Sequence, residues 1–297
     1  MPTNPWLRSA ATLVAAAGAG LAYAAAEARS YRLRRLDVPC LSRGQRPLRV
    51  LHLTDLHMTP GQHRKQVWVR QLAALQPDLV VNTGDNLAHV DAVPFVLDAL
   101  GPLLDGPGVF VMGSNDYYAP TFRNPARYLV PSDERRLHGG FLPWEDLRDG
   151  FTTDGWVDLD NARTRFEIDG RTLDLVGVDD PHIYRDRYDE VSAPKAPDAD
   201  LVLGVVHAPY HRVIDKMSTD GCDLVLAGHT HGGQLCVPGV GALVTNCDLE
   251  RSRASGLSWL DGAYLHVSAG LGTSPYAPVR FACPPEATLL TLIPRPA

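Results

Sequence analysis

The apolar run Asp223-Leu224-Val225-Leu226-Ala227 breaks at Gly228 into His229-Thr230-His231-Gly232-Gly233-Gln234, and this break constrains the fold more than any other stretch. A short apolar run reads as a buried strand, and the glycine and polar residues at its end read as a tight turn. In an extended turn, residues i and i+2 share a side, so His229 and His231 can present their imidazoles to a common centre. Gly228, Gly232 and Gly233 let the backbone bend and approach a ligand without a Cβ in the way. Imidazole is the commonest nitrogen ligand for transition metals. An H-x-H pair also occurs as two solvated histidines, so further ligands must come from elsewhere in the chain.

The same apolar-run-then-polar-turn pattern recurs in order. A strand over 48–53 leads into Thr54-Asp55-Leu56-His57, and one over 78–82 leads into Thr83-Gly84-Asp85-Asn86. A third over 109–112 leads into Gly113-Ser114-Asn115-Asp116, and a later one over 201–206 ends at His207. Helical periodicity over 62–76 and 91–104 separates the first three strands, which predicts parallel strands with crossover helices and an α/β fold. Residues 121–150 read as a helical or looped insertion, and 156–178 as antiparallel hairpin structure. A short helix over 211–218 and strands over 263–267 and 287–292 complete the chain.

Composition excludes several classes. The net charge is −6 with a pI near 6.0, so no broad basic surface is implied and nucleic acid is not a default partner. Five scattered cysteines without a C-x-x-C pair read as buried or incidental thiols rather than a disulfide framework. Residues 9–26 are 18 uncharged residues, ten of them alanine. About 17–25 apolar residues span a bilayer, so 1–28 is expected to be a membrane anchor or signal segment, with a soluble Ala-rich helix as the other reading. Arg29, Arg32, Arg34 and Arg35 follow it, and the positive-inside rule then favours the cytoplasmic face over export. Residues 29–47 read as a linker and 48–297 as the globular domain. Nothing in the sequence specifies an oligomer.

Every strand of this series ends in groups suited to a cation: Asp55 and His57, Asp85, Ser114 or Asn115, His207, then His229 and His231. Each alone has an ordinary explanation as a turn residue, cap or strand-end histidine. Together they fall at the carboxyl ends of strands, where ligands bind in open α/β sheets. Two divalent ions about 3.5–4 Å apart clamp a phosphate and generate a nucleophile, and a carboxylate shared between them offsets their repulsion. Asp85 is the natural shared ligand. A set of imidazoles and carboxylates without thiolate suits Mn, Fe or Zn.

Thr54-Asp55-Leu56-His57, Gly84-Asp85-Asn86, Gly113-Ser114-Asn115-Asp116, Val206-His207 and Gly228-His229-Thr230-His231 together resemble the calcineurin-like metallophosphoesterase superfamily. The N-terminal segment, Gly232-Gly233-Gln234 and Pro278-Val279-Arg280-Phe281 with Pro284-Pro285-Glu286 resemble its bacterial membrane-associated or exported phosphodiesterase branch. The resemblance implies a four-layer α/β/β/α sandwich behind an N-terminal hydrophobic helix. It implies one metal on Asp55, His57, Asp85 and His231, and a second on Asp85, Asn115, His207 and His229. It also implies a metal-bridging hydroxide as nucleophile. The third motif departs from the family's Gly-Asn-His-Asp. A gapless match puts Ser114 at the ligand position, and a shift of one puts Asn115 there. An amide carbonyl is the better ligand, which favours Asn115. On either register the usual general-acid histidine is missing. Asp116, His182 and His138 are replacement donors by residue type, and the catalytic set is read as Asp85, Asn115 and Asp116.

These residues point to a phosphoesterase, and to a phosphodiesterase first, with a phospholipid or lipid-linked headgroup made plausible by the N-terminal segment and the branch and a soluble nucleotide ester left open. The competing reading is a catalytically weak metal-binding or scaffolding protein that kept the fold. Arg280 reads as an ordinary surface or salt-bridged arginine. Tyr117, Tyr118, Phe122 and Trp144 read either as an apolar wall beside the metals or as a small core of the insertion.

Overall fold

A computed structural model describes residues 5–122 and 139–296, with side chains from residue 12 onward. The chain begins with α1 (Pro5–Glu27), β1 (Arg32–Leu41), β2 (Leu48–Leu53), α2 (His63–Gln71), β3 (Leu79–Asn82), α3 (Val93–Leu104), β4 (Gly108–Phe110) and α4 (Ser114–Tyr117). Then come α5 (Trp144–Thr153), β5 (Val157–Asp158), β6 (Ala162–Ile168), β7 (Arg171–Gly177), α6 (Tyr188–Val191), β8 (Leu201–Val206), α7 (His211–Thr219) and β9 (Leu224–Ala227). A two-stranded hairpin, β10 (Cys236–Val237) and β11 (Gly241–Ala242), precedes β12 (Gly256–Trp259), β13 (Tyr264–Val267) and β14 (Glu286–Pro294).

The strands form two six-stranded sheets, ordered β1-β14-β2-β3-β4-β5 and β12-β13-β9-β8-β7-β6. β2 to β5 run parallel in the first, and β7, β8, β9 and β13 run parallel in the second. The sheets pack face to face. Val50, Leu79, Val81 and Val109 of the first meet Leu173, Leu203, Val205, Leu224 and Leu226 of the second in one buried cluster. Alternate residues of the same strands, Leu51, Leu53, Val80 and Phe110, face outward into a second cluster with Val96, Leu100 and Phe151 from α3 and α5. On the far side, Val202, Val206 and Val225 pack against Val213, Ile214 and Met217 of α7. Strands buried on both faces have no polar face, so they appear in sequence as unbroken apolar runs. The four-layer α/β/β/α sandwich is the expected one.

The N-terminal region departs from expectation. Residues 32–41, taken as linker, form β1, an edge strand parallel to β14. Leu36, Val38 and Cys40 alternate at the strand period, and Val38, Cys40 and Leu41 enter the inter-sheet core. Pro39 is tolerated because the strand lies at the sheet edge, beside a register shift. Residues 9–26 are helical, but among the described residues no helix is long and apolar enough to cross a membrane. The physical reason is the alanine content, since a methyl group gains little on leaving water. The expected transmembrane span is not borne out, and residues 12–19 of this helix are exposed. Residues 156–178 divide between sheets: β5 joins β4 in parallel, whereas β6 and β7 form the expected antiparallel hairpin.

His52 of β2 and His266 of β13 face each other between the sheets, with Nδ1 atoms 2.9 Å apart. Burial, then the neighbouring imidazole, holds His52 well below its ordinary value. Burial, then Arg34, pushes His266 down to about 3. Both are therefore neutral in the native state but take up protons on unfolding below pH 6.5. Their contribution to stability is present above that pH and is lost as pH falls from 6.5 towards about 3. Denaturant midpoints measured across this window should fall with pH, and His266→Gln should make the decline shallower.

Candidate metal centre

The parallel strands deliver their carboxyl ends to one rim of the sandwich, β2, β3 and β4 from one sheet and β8 and β9 from the other. The connecting loops lock together there. Asp55 N donates to Gly84 O at 2.8 Å, His57 N to Asp85 O at 2.9 Å and Met58 N to Asn86 O at 2.7 Å, so the first loop runs along the second. Five non-glycine residues in these loops occupy left-handed backbone: Asp55 (φ 50°), His57 (41°), Asp85 (57°), His229 (70°) and His231 (51°). That conformation is costly for a residue with a Cβ and persists where surrounding structure over-determines it. Here it tightens each turn so that the side chains converge. The approach is close enough that a Cβ at Gly113 would collide with Asp85 Oδ1.

Direct polar contacts join the seven candidate ligands. Asp55, His57 and His231 form one group and Asp55, Asp85 and His207 another, with each group's ligand atoms within 4.8 Å of one another. Asp85 faces both sides, with Oδ2 3.6 Å from His57 Nε2 and Oδ1 3.5 Å from His207 Nε2. His231 Nε2 lies 3.5 Å from Asp55 Oδ1 and 3.2 Å from His57 Nε2. Asn115 donates from its backbone to Asp85 Oδ1 and from its amide to Asp85 Oδ2, each at 2.7 Å. It is thus the third-motif side chain that reaches the shared carboxylate. The His229 backbone donates to Asp55 Oδ2 at 3.0 Å, and its ring lies 5.2 Å from that of His207.

The donor set fits divalent cations. Asp55 Oδ1 and His207 Nε2, which face this cluster, are buried with no hydrogen-bond partner among the described residues, a costly state for atoms that could instead bind an ion. His207 Nδ1 lies 2.7 Å from Thr83 O and His229 Nε2 lies 3.2 Å from Asn246 O. Donating the ring N–H to a carbonyl leaves the other nitrogen of each imidazole as a lone-pair donor. Electrostatics agree. Burial lowers the His207 imidazole, but Asp85, Asp180 and Asp55 together raise it to about 9. The Asp85 carboxyl is raised by burial yet held below its ordinary value by His207, His57 and Asn115. Positive charge is therefore favoured between these groups.

The other residues that the sequence singles out take different places. Asp116 is fully buried, and its oxygens accept from the backbone of Asp85, Asn86 and Gly113 at 2.8, 2.7 and 2.9 Å. Expected as a proton donor by residue type, it clamps two ligand loops together, and burial pushes its pKa up to about 7. Arg280 is not exposed and, among the described residues, has no salt bridge. Completely buried, it donates to the carbonyls of Ala269 and Gly272 at 2.7 Å each, and its Nη2 lies 3.3 Å from His231 Nδ1. Tyr117 and Trp144 pack edge to face in the interior, whereas Phe122 is exposed. His138 lies outside the described residues.

His182 stands beside the centre. Its ring centroid is 4.2 Å from that of His229, and its Nδ1 is 3.1 Å from the Tyr210 hydroxyl. Two further residues support the centre, of which sequence reasoning read Asp180 only as part of a polar turn and missed Lys65. Asp180, fully buried, accepts from the His182 backbone at 2.7 Å and adds negative charge near His207. Lys65, buried in α2, bonds the Leu56 carbonyl between the first two ligands at 2.5 Å. Lys65 lies in the polar stretch His63-Arg64-Lys65-Gln66 that opens its helix. The acidic Asp179-Asp180 pair after an apolar strand was the signal available for Asp180.

Residues 48–233 match the family model described as calcineurin-like phosphoesterase. The Bacillus subtilis (strain 168) protein YpbG is 28% identical over 290 residues, covering 96% of this chain and 97% of its own. Phosphodiesterase YaeI of Escherichia coli (strain K12) is 28% identical over 254 residues, covering 83% of each chain. Among solved structures, phosphopantetheinyl hydrolase from Mycobacterium tuberculosis superposes with a TM-score of 0.42 at 13% identity, over 78% of this chain and 94% of its own.

The Asp116 clamp is testable by Asp116→Ala. It strands buried backbone amides, each costing about 1–3 kcal/mol. Denaturant unfolding should show that loss, and metal analysis of the purified variant should show reduced retention. Unchanged values for both would exclude the clamp.

Proposed function

The chain belongs to the calcineurin-like phosphoesterase family, a metal-dependent hydrolase of phosphate esters, and on that premise we propose that it is a dinuclear phosphodiesterase. The observation that carries the reading is the single Asp85 carboxylate with one oxygen towards His57 and the other towards His207. Asp55, His57, Asp85 and His231 would hold one ion, and Asp85, Asn115, His207 and His229 the other. Such a pair neutralises phosphoryl charge and lowers the pKa of water. The name of the Escherichia coli relative supports a diester rather than a monoester as substrate. Unpartnered ligand atoms disfavour a scaffold that binds no cation, and diester turnover separates the enzyme from a metal-binding protein of weak activity.

The chain's own groups divide the remaining work. Asp116 and the paired loops hold the ligands against backbone strain. Arg280 fixes the segment 269–272 under His231. His182, oriented by Tyr210 and Asp180, would give a proton to the departing alkoxide in place of the histidine absent from the third motif. A positioned acid contributes about 10²–10⁴-fold, and most where the leaving group is poor.

Asp85→Asn should abolish both metal retention and diester turnover, and full metal content with full activity would exclude the shared-ligand role. Of the parallel pair Asn115→Ala and Ser114→Ala, the first should cost metal affinity and turnover and the second little of either. His182→Ala should slow an alkyl diester by about 10²-fold or more while slowing a nitrophenyl diester far less. Equal losses on the two substrates would remove His182 from proton donation.

A further inference from the structure

Two of the five free thiols meet against the backbone of the last ligand loop. Cys40 and Cys222 are instead sealed in apolar clusters. Cys236 and Cys283 are brought together by pairing of their segments: Phe281 N donates to Gln234 O at 3.0 Å and Cys236 N to Phe281 O at 2.8 Å. Ala282, in left-handed backbone (φ 50°), turns the chain just before Cys283. Cys236 Sγ donates to Gly232 O at 3.1 Å, and Cys283 Sγ lies 3.2 Å from His231 O and 3.5 Å from Gly232 O. The two thiols are also in hydrogen-bonding contact with each other. Packing leaves little slack, since a Cβ on Gly232 would stand 2.7 Å from Cys283 Sγ.

A buried thiol ordinarily acts as a small apolar group. A touching pair differs, because loss of two protons and two electrons joins it at a sulfur–sulfur distance of about 2 Å. This pair is within reach of small molecules. Cys236 is half-buried, and both cysteines line a cleft of about 370 Å³. Ligand-binding clefts run from about 300 to 1,000 Å³. A cross-link would also remove a specific support. A sulfur in a disulfide donates no hydrogen bond, so His231 O would lose the Cys283 thiol and, among the described residues, keep Arg280 Nη1 at 3.4 Å. Gly232 O would lose the Cys236 thiol. The reduced pair thus holds His231 by its carbonyl.

We propose that Cys236 and Cys283 are a modification site, at which a low-molecular-weight disulfide entering the cleft oxidises them to an internal disulfide that loosens His231 at the metal centre. Cys236, the more exposed, attacks one sulfur of the small disulfide. A mixed disulfide forms, and the first small thiolate leaves and takes a proton. Cys283 then attacks the Cys236 sulfur, and the second small thiolate leaves in the same way. Two protein thiols are oxidised and one small disulfide is reduced to two thiols, so no other oxidant is needed. Burial, then the neighbouring Cys283, pushes the Cys236 thiol up to about 11, which makes the exchange slow at neutral pH. The cross-link stands on the contact between the thiols, whereas its effect on the centre rests on the metal-binding reading of His231.

The test is prolonged incubation of the full chain with glutathione disulfide, followed by mass spectrometry of the intact protein and its peptides and by titration with Mn²⁺. Wild-type protein should lose two hydrogens and yield a peptide pair joined through Cys236 and Cys283. Its Mn²⁺ affinity should fall by about 10–100-fold, as on loss of groups that orient a ligand, and dithiothreitol should restore it. Cys236→Ser should form no link at Cys283 and should keep the affinity of the reduced wild type. Cys283→Ser should stop at the mixed disulfide between Cys236 and glutathione, which traps the first step. Wild-type protein with both thiols still free would overturn the proposal, as would a link to another cysteine. An unchanged Mn²⁺ affinity in fully linked protein would also overturn it. Mass reads the link without any metal, so failure of the metal-centre reading cannot be mistaken for failure of this one.

Discussion

The Asp85 carboxylate is held in three ways at once, and the centre depends on that. One oxygen faces His57 from the first sheet's opening loop, and the other faces His207 from the second sheet. Asn115 donates to both oxygens, and Asp116 holds the Asp85 backbone from behind. Two sheets that meet through an apolar core with the buried His52–His266 pair in it are joined at this rim by a charged group. In a buried setting, an unpaired carboxylate surrounded by others costs several kcal/mol. A cation among them turns that cost into attraction.

The backbone strain follows from the same requirement. Side chains leaving parallel strands ordinarily diverge by the spacing between strands, which is too wide for a shared ion. Left-handed residues at Asp55, Asp85 and His229 fold the chain back sharply just after each strand. The penalty is met by interactions outside the centre: the loop-to-loop ladder, the Asp116 clamp and the buried Arg280. Strain is thus concentrated in the residues that bear the chemistry, while the residues that hold it carry no chemistry themselves.

This division explains what was legible in the sequence. Asp55, His57, Asp85, His207, His229 and His231 announce themselves because apolar runs end in groups with few other reasons to be there. The layered fold was legible for the same reason, since strands buried on both faces leave unbroken apolar signals. Supporting residues are harder to read. Asp116 resembles a donor and Arg280 a surface cation until the carbonyls and amides that surround them are known. β1 was hidden by its four charged residues and Pro39, which an edge strand tolerates because one side faces solvent. Lys65 gave no sign at all, as only tertiary packing brings its amine to the Leu56 carbonyl.

The third motif shows how a local change can leave the centre intact while moving a function. Asn115 keeps an amide at the Asp85 carboxylate, so metal binding is preserved by a shift of one residue within a tight turn. The proton source has no such neighbour, because Asp116 is committed to four backbone amides. A replacement must come from another element, and the segment after β7 is the one that reaches. Asp180 caps the turn that carries His182, and Tyr210 at the start of α7 meets its ring. The Asn246 carbonyl accepts from both Tyr210 and His229, so the proposed donor and a proposed ligand are anchored to one point. Coupling through a common carbonyl keeps the two rings in fixed relation, which a donor recruited from a separate segment requires.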